Sequence, residues 1–333
     1  MTPPDRYGVR IAGVGSIVPD QVLTNQDLEK ILDTSDEWIV QRTGIHERRR
    51  VDQAHQGTFT LSRDAASRAI ENAGISPREL DLLIVATCTG EMSCPSIACR
   101  VAGAIGATPA AAFDLVAACS GFVYALNVAD TMIRSGRYQT VAVVGCDAMT
   151  TVVDYEDRSV SILFGDAGGA AVLTRDPDPL RGCRYQHMGA DGESWETLYM
   201  PRRQQDVPAW DAENPIRLGN LRMSGREVYR FAVTKFQEVI RDALDSTGLT
   251  VDDVSQFVCH QSNTRIIESA KEKLGLPAEK VLINIDRYGN SSSGSVPLVF
   301  DQLWQAGKIN SGDNIVFVAF GGGLTWASSV WTI

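Results

Sequence analysis

Cys119 lies where the apolar run "AFDLVAA" gives way to a segment that stays almost wholly apolar through Ala129. A strand-to-helix seam of this kind presents one side chain at its tip, the placement of a nucleophile. The helix N-terminus favours a thiolate, but its dipole contributes only about 0.3 to 2 kcal/mol, roughly one pKa unit. Bringing a thiol from about 8.5 to well below neutral pH therefore takes a second group, such as a histidine. His260 stands where the apolar "FVC" breaks into the polar "HQSNTR". Asn290 sits in "DRYGNSSSGSVP", after the apolar run "VLINI" and before an apolar helix with Pro297 near its start. An amide there can donate to a developing oxyanion. Gly321, Gly322 and Gly323 follow "IVFVAF"; such a run lets backbone N–H groups approach a ligand, or simply makes a sharp turn. Each feature also has a plainer reading: Cys119 as a small buried apolar side chain, His260 as a structural histidine, the Asn290 cluster as turn and caps.

An internal repeat relates these positions. "AIENAGISPRELDLLIVATC" lies over "ALDSTGLTVDDVSQFVCHQS" with Gly74 on Gly248, and "TVAVVG" lies over "NIVFVA" with Val141 on Ile315. Both pairs are 174 positions apart (248 − 74 and 315 − 141), with small gaps expected between them. At the same offset Cys119 falls on Ser293 and His260 on Ala86. Strand-like and helical runs alternate in both halves, which reads as α/β. Two similar halves would then pack face to face and bring Cys119 and His260 to equivalent rims, where open α/β sheets place ligands. Between the halves, Asp176 to about Met223 is rich in Pro, Arg, Asp and Gly and reads as an irregular excursion. The expected division is 1–175, 176–224 and 225–333.

Composition narrows the classes of function. The 333 residues are 44% hydrophobic and 22% charged, with a net charge of −10, which argues against nucleic-acid binding. Seven cysteines, an odd number and mostly in apolar segments, read as reduced thiols. The cluster Cys88, Cys94 and Cys99 lacks the paired spacing of a zinc site and only four histidines exist, so no metal is expected. No leader-like N-terminus or run of 18 apolar residues is present; a cytoplasmic protein without membrane contact is the expectation. "GVGSIVP" lacks the third glycine of a dinucleotide fingerprint and is rejected as one.

Six motifs taken together carry a resemblance: "TSDEWIVQRTGI" (34–45), "AACSGF" around Cys119, "FGDAGGAAVL" (164–173), "HQSNTRI" (260–266), "DRYGNSSSGSVP" (286–297) and "FGGGLTW" (320–326). In order and spacing the chain, from about residue 10 to its end, resembles β-ketoacyl-acyl-carrier-protein synthase III of the thiolase superfamily. The resemblance implies a five-layer αβαβα fold from two duplicated halves, a homodimer, and no cofactor, since acyl-CoA and malonyl-acyl-carrier protein are substrates. It implies that Cys119 takes an acyl group from acyl-CoA, that His260 and Asn290 assist decarboxylation of the malonyl thioester, and that the N–H groups of Cys119 and Gly322 form an oxyanion hole. Trp38 and Arg158 would flank the CoA adenine, with Arg42 and Asn263 also contacting CoA. Without the resemblance, Trp38 would be a residue of an amphipathic helix behind a Thr34–Glu37 capping box. Arg265, with Arg230, Lys271, Lys273 and Lys235 on neighbouring predicted helices, would form a basic patch for the carrier protein, or else an ordinary solvated face.

Several positions depart from the family pattern. Cys94 stands where a bulky aromatic often closes the primer pocket across the dimer, which implies a pocket open to a branched or longer primer than acetyl. Leu324 replaces a frequent Phe beside the active site, Arg226 a frequent Asn near the CoA channel, and "GDAGGA" reorders "GDGAGA". Two other readings stand beside decarboxylative condensation. One is an acyltransferase or condensing enzyme of secondary metabolism that moves the acyl group to another acceptor; the other is a non-catalytic partner, against which the retention of all three site residues argues.

Overall fold

The strand Leu82–Ala86 is five consecutive buried apolar residues, the pattern of a parallel strand covered on both faces. The helix before it buries Leu61, Ala65, Ala66, Ala69 and Ile70, spaced along one face, and stops at Gly74, whose φ of 67° suits a residue without Cβ. In the computed structural model, which describes residues 7–215 and 217–333, the first half runs β1 (Gly8–Ile17), α1 (Thr58–Ala73), β2 (Leu82–Ala86), α2 (Ile97–Ile105), β3 (Ala111–Leu115), α3 (Gly121–Arg134), β4 (Thr140–Ala148) and β5 (Asp166–Asp176). The second half runs β6 (Gly182–Ala190), α4 (Gly225–Thr247), β7 (Gln256–Cys259), α5 (Thr264–Leu274), α6 (Ser295–Gln305), β8 (Asn314–Gly321) and β9 (Thr325–Thr332).

The first sheet has the order β1-β5-β4-β2-β3 and the second β7-β8-β9-β6. In the first sheet β4–β2 and β2–β3 are parallel and β1–β5 and β5–β4 antiparallel; in the second β7–β8 is parallel and β8–β9 and β9–β6 antiparallel. Helices α3 and α6 share one apolar core between the sheets, while α1 with α2 and α4 with α5 cover the outer faces. This is the five-layer αβαβα arrangement expected of a thiolase-like fold. The repeat is more regular than its sequence trace: the first residues of β1 and β6, α3 and α6, and β4 and β8 are each 174 positions apart (182 − 8, 295 − 121, 314 − 140). The second half lacks a counterpart of β3, because the matching positions form the helical turn Ile285–Tyr288.

The stretch 176–224 differs from its irregular reading in one respect. Its residues Gly182–Ala190 form β6, paired along its length with β9. This edge strand is largely exposed, so it carries no apolar alternation for a sequence pattern to reveal. The rest of the excursion is short turns and one two-residue strand pair, Leu198–Tyr199 with Arg222–Met223, around a buried ion pair. Arg222 donates to both carboxylate oxygens of Asp211 at 2.8 and 2.7 Å, and the Tyr199 hydroxyl donates to Asp211 at 2.6 Å. Chiefly through Arg222, the Asp211 carboxyl is held down at about 2.

The two halves meet backbone to backbone. A Cβ on Gly145 of β4 would lie 2.3 Å from the Ser293 carbonyl oxygen and 2.8 Å from the Phe122 Cβ. Neither neighbour is the end of a flexible chain, so a methyl group there must push the halves apart. Gly145→Ala should therefore destabilise the protein by about 1 to 3 kcal/mol, measured as a lower midpoint in urea unfolding; an unchanged midpoint would mean that this contact does not set the spacing of the halves.

Candidate active site

Cys119 reaches the site through a short 3₁₀ turn, Ala118–Ser120, between β3 and α3. Ala118 has φ 46°, and Ser292 has φ 51° in the matching turn Ser292–Gly294. They are the two non-glycine residues with positive φ among the described residues, and they too are 174 positions apart (292 − 118). Strain of this kind persists only where surrounding structure fixes it. For the turn that follows Ser292, Asp147 at the end of β4 supplies that fixation. Its Oδ1 accepts from the Thr87 hydroxyl (2.9 Å), the Cys88 N–H (2.8 Å) and the Thr89 hydroxyl (3.0 Å). Its Oδ2 accepts from the N–H (3.0 Å) and hydroxyl (2.7 Å) of Ser293 in the other half.

A cavity of about 90 Å³ opens over Cys119, lined also by Leu163, Phe164, His260, Asn290, Phe320 and Gly321. His260 is buried, with Nδ1 2.6 Å from the Ser295 hydroxyl and its ring edge-on to Phe320 at 5.3 Å between centroids. Asn290 hydrogen-bonds Leu163 and Gly165 of the first half through its backbone N–H and carbonyl, at 2.8 and 3.0 Å. Its side-chain Oδ1 accepts from the Ser292 N–H at 2.9 Å, which leaves the Nδ2 protons for the cavity.

The electrostatics correct one expectation. Burial pushes the Cys119 thiol up to about 12, opposed by the Ser292 hydroxyl and reinforced by the charge of Asp147. Burial also pulls His260 down to about 3. No hydrogen bond joins His260 to Cys119 among the described residues, so the resting site holds a neutral thiol beside a neutral imidazole. Desolvation outweighs the helix N-terminus here, and the histidine does not supply the missing stabilisation of a thiolate. The glycine run sits against the nucleophile: a Cβ on Gly321 would lie 2.6 Å from the Cys119 backbone nitrogen, whereas Gly322 packs on Leu198.

A larger cavity of about 690 Å³ adjoins the first and shares Met223 with it. Trp38 and Arg158 line it, with the Arg158 guanidinium 4.8 Å and that of Arg42 5.7 Å from the Trp38 ring centroid. Asn263, the N-cap of α5, lines the inner cavity and donates to the Arg42 carbonyl at 3.0 Å. Trp38 and Arg158 thus line the outer cavity and Asn263 the inner one, with Arg42 in contact with both Trp38 and Asn263. The cap of the helix Asp36–Thr43 is Ser35, which accepts from the Trp38 N–H at 3.2 Å, rather than Thr34 of the expected capping box. The Thr34 hydroxyl is buried without a partner instead.

Residues 113–192 match the family described as "3-Oxoacyl-[acyl-carrier-protein (ACP)] synthase III" and residues 244–333 its C-terminal counterpart. A β-ketoacyl-[acyl-carrier-protein] synthase III of Caldanaerobacter subterraneus subsp. tengcongensis is 44% identical over 326 residues, 98% of each chain. The chain belongs to the β-ketoacyl-acyl-carrier-protein synthase III family. Among solved structures of this family, that of Aquifex aeolicus VF5 matches with a TM-score of 0.90 at 42% identity, covering 98% of this chain and 100% of the other. The priming β-ketosynthase of the R1128 polyketide pathway matches with a TM-score of 0.89 at 37% identity, covering 99% and 98%.

Within this synthase III fold the other anticipated residues divide. Arg265, Arg230 and Lys273 are exposed on α4 and α5, and Arg265 lies over Tyr229 at 5.8 Å. Lys271 pairs with Glu268 at 2.8 Å, while Lys235 pairs with Glu238 and covers Trp326 at 4.2 Å. Cys94 is exposed and lines neither cavity; Leu324 is buried, its backbone paired with Asp191. Arg226 is exposed in the first turn of α4. Sequence reasoning missed Asp147, Ser292 and Ser295, though the 174-residue offset applied to the turn before Cys119 points to Ser292. Among the described residues no helix is long and apolar enough to cross a membrane, and no group of three His, Cys, Asp or Glu could hold a metal.

The neutral resting pair has a kinetic signature. With the thiol near 12 and the imidazole near 3, the thiolate fraction rises about tenfold per pH unit throughout the physiological range. Alkylation of Cys119 by iodoacetamide, followed by intact mass, should climb without a plateau from pH 6 to 9. A plateau below pH 8 would show a thiolate already formed.

Proposed function

We propose that the protein condenses an acyl primer from acyl-CoA with malonyl-acyl-carrier protein, releasing carbon dioxide and giving 3-ketoacyl-acyl-carrier protein, the opening condensation of fatty acid synthesis. The single observation that carries this reading is the meeting of Cys119, His260 and Asn290 from opposite halves in one cavity. Loading is a thioester exchange: the Cys119 sulfur attacks the acyl carbonyl, the C–S bond to CoA breaks, and the thiol proton leaves with the CoA sulfur. The neutral starting thiol fits such an exchange, because the proton moves as the bond forms. The carrier-bound malonyl group then loses carbon dioxide while His260 and Asn290 donate to its thioester oxygen. Neutral donors in a dry site are worth more than in water and need no reorganisation as charge develops. The carbanion attacks the acyl-Cys119 carbonyl, with the N–H groups of Cys119 and Gly322 taking the second oxyanion, and the Cys119 sulfur is released.

Trp38, Arg42, Arg158 and Asn263 hold the CoA portion, and Arg265, Arg230, Lys271 and Lys273 meet the acidic carrier protein. The reading needs no cofactor. Met149, Val153, Phe164 and Leu221 form an apolar cluster beside Cys119, suited to an alkyl primer. Cys94 reaches that primer only from a second copy in a homodimer, and its small side chain leaves room for a branched or longer acyl group. Likeness to a polyketide-priming enzyme favours one second reading, a condensing enzyme of secondary metabolism; the acyl-CoA best used for loading and the acceptor that clears it separate the two.

Incubation with a panel of acyl-CoAs should add one acyl mass, which Cys119→Ala abolishes and malonyl-acyl-carrier protein clears with release of carbon dioxide. Asn290→Ala should still load but condense about 10²- to 10³-fold more slowly. An adduct cleared only by alcohols or amines would sink the condensing reading. Arg265→Glu should raise KM for malonyl-acyl-carrier protein and leave acyl loading unchanged in stopped-time mass measurements; equal losses in both would remove Arg265 from the docking face.

A further inference from the structure

A buried hydroxyl outside the three reacting residues decides where His260 carries its proton. The neutral imidazole has a single N–H, on Nδ1 or on Nε2. Its Nδ1 is 2.6 Å from the Ser295 Oγ, and Ser295, the first residue of α6, is itself buried. That Oγ also accepts from the Gln261 N–H at 3.4 Å. No other acceptor lies within hydrogen-bond reach of the Ser295 hydroxyl among the described residues, so its proton has one place to go, the Nδ1 lone pair. Gln261 is held in turn by the Cys259 and Leu282 carbonyls and the Asn284 N–H, and Phe320 fixes the ring from its other side.

The repeat gives an independent argument. His260 corresponds to Ala86 and Ser295 to Gly121, each 174 positions apart (260 − 86 and 295 − 121). In the first half these positions simply pack, since a Cβ on Gly121 would lie 3.0 Å from the Ala86 Cβ. The second half turns the same contact into a hydrogen bond. A hydroxyl has been placed where the fold asks only for a small residue.

We propose that Ser295 is a positioning residue of the condensation reaction: it donates to His260 Nδ1 and so keeps the proton on Nε2, available for the malonyl thioester oxygen beside the Asn290 amide. The inference rests on the proposed function for the use made of that proton, but not for its location. Ser295→Ala should leave acyl loading of Cys119 within about threefold and slow carbon dioxide release from malonyl-acyl-carrier protein by about 10- to 100-fold, the range found when the orienting partner of a metal-bound histidine is lost. Ser295→Thr, which keeps the hydroxyl, should recover most of the loss. Nitrogen-15 spectra of histidine-labelled protein should show His260 with a pyridine-like Nδ1 and a pyrrole-like Nε2 in the wild type, and a mixture of both forms in Ser295→Ala. A proton on Nδ1 in the wild type would overturn the proposal, as would equal losses of loading and decarboxylation in Ser295→Ala. Absence of carbon dioxide release by the wild type would instead refute the proposed function, with the tautomer measurement still deciding the role of Ser295.

Discussion

The Asp147 carboxylate joins the two halves of the molecule at the point where the site is built. It gathers donors from the loop after β2 on one oxygen and from Ser293 on the other, so that loop of the first half and the turn that follows Asn290 in the second are indexed to the same buried group. Close approach of the backbones at Gly145 makes this reach short enough for direct hydrogen bonds. A buried charge with five donors is fully satisfied, and removing any of them would leave it costly. The geometry is therefore fixed by a cross-link that takes no part in bond making.

That cross-link has an electrostatic consequence. A fixed negative charge near Cys119 opposes a second one, adding to the desolvation that already keeps the thiol protonated. In the proposed reaction the site relies instead on neutral donors to a thioester oxygen, His260 and Asn290, which contact Ser295 and the Ser292 N–H. Burial that raises a thiol and lowers an imidazole is the same burial that strengthens uncharged hydrogen bonds. A largely apolar, buried cavity of this kind suits the proposed reaction, in which negative charge moves from the malonyl carboxylate onto the thioester oxygen as carbon dioxide departs.

Much of this was legible in the sequence because duplication leaves a signal that survives divergence. Gly74 and Gly248 had to remain glycine at left-handed helix ends, and the buried strands β4 and β8 had to remain apolar, so the offset could be read from them. The motifs around Cys119, His260 and Asn290 then located the site. Other parts were silent for physical reasons. Strand β6 is an exposed edge and shows no alternation. The protonation of Cys119 depends on how deeply its thiol is desolvated, which no local motif expresses and the helix-dipole argument does not contain. Ser292 and Ser295 lie in a polar run that reads as turn and cap until their partners are known.

The repeat also shows how one architecture acquired two chemistries. Both halves end a strand and start a central helix at the same register, and both strain the residue just before that helix's 3₁₀ turn is complete, Ala118 in one and Ser292 in the other. In the first half Ala86 and Gly121 are too close to admit a polar pair, and the functional group is the thiol of the turn itself. In the second half the turn position is Ser293, spent on Asp147, and the contact beside it becomes His260 with Ser295. On the proposed roles, a nucleophile and the donors that stabilise its reaction partner thus occupy neighbouring, not identical, positions of the repeat. Had both halves kept the same residue at the same position, the pseudo-symmetric packing would have set two like groups facing one another. Displacing the second function by a few residues brings unlike groups into one cavity.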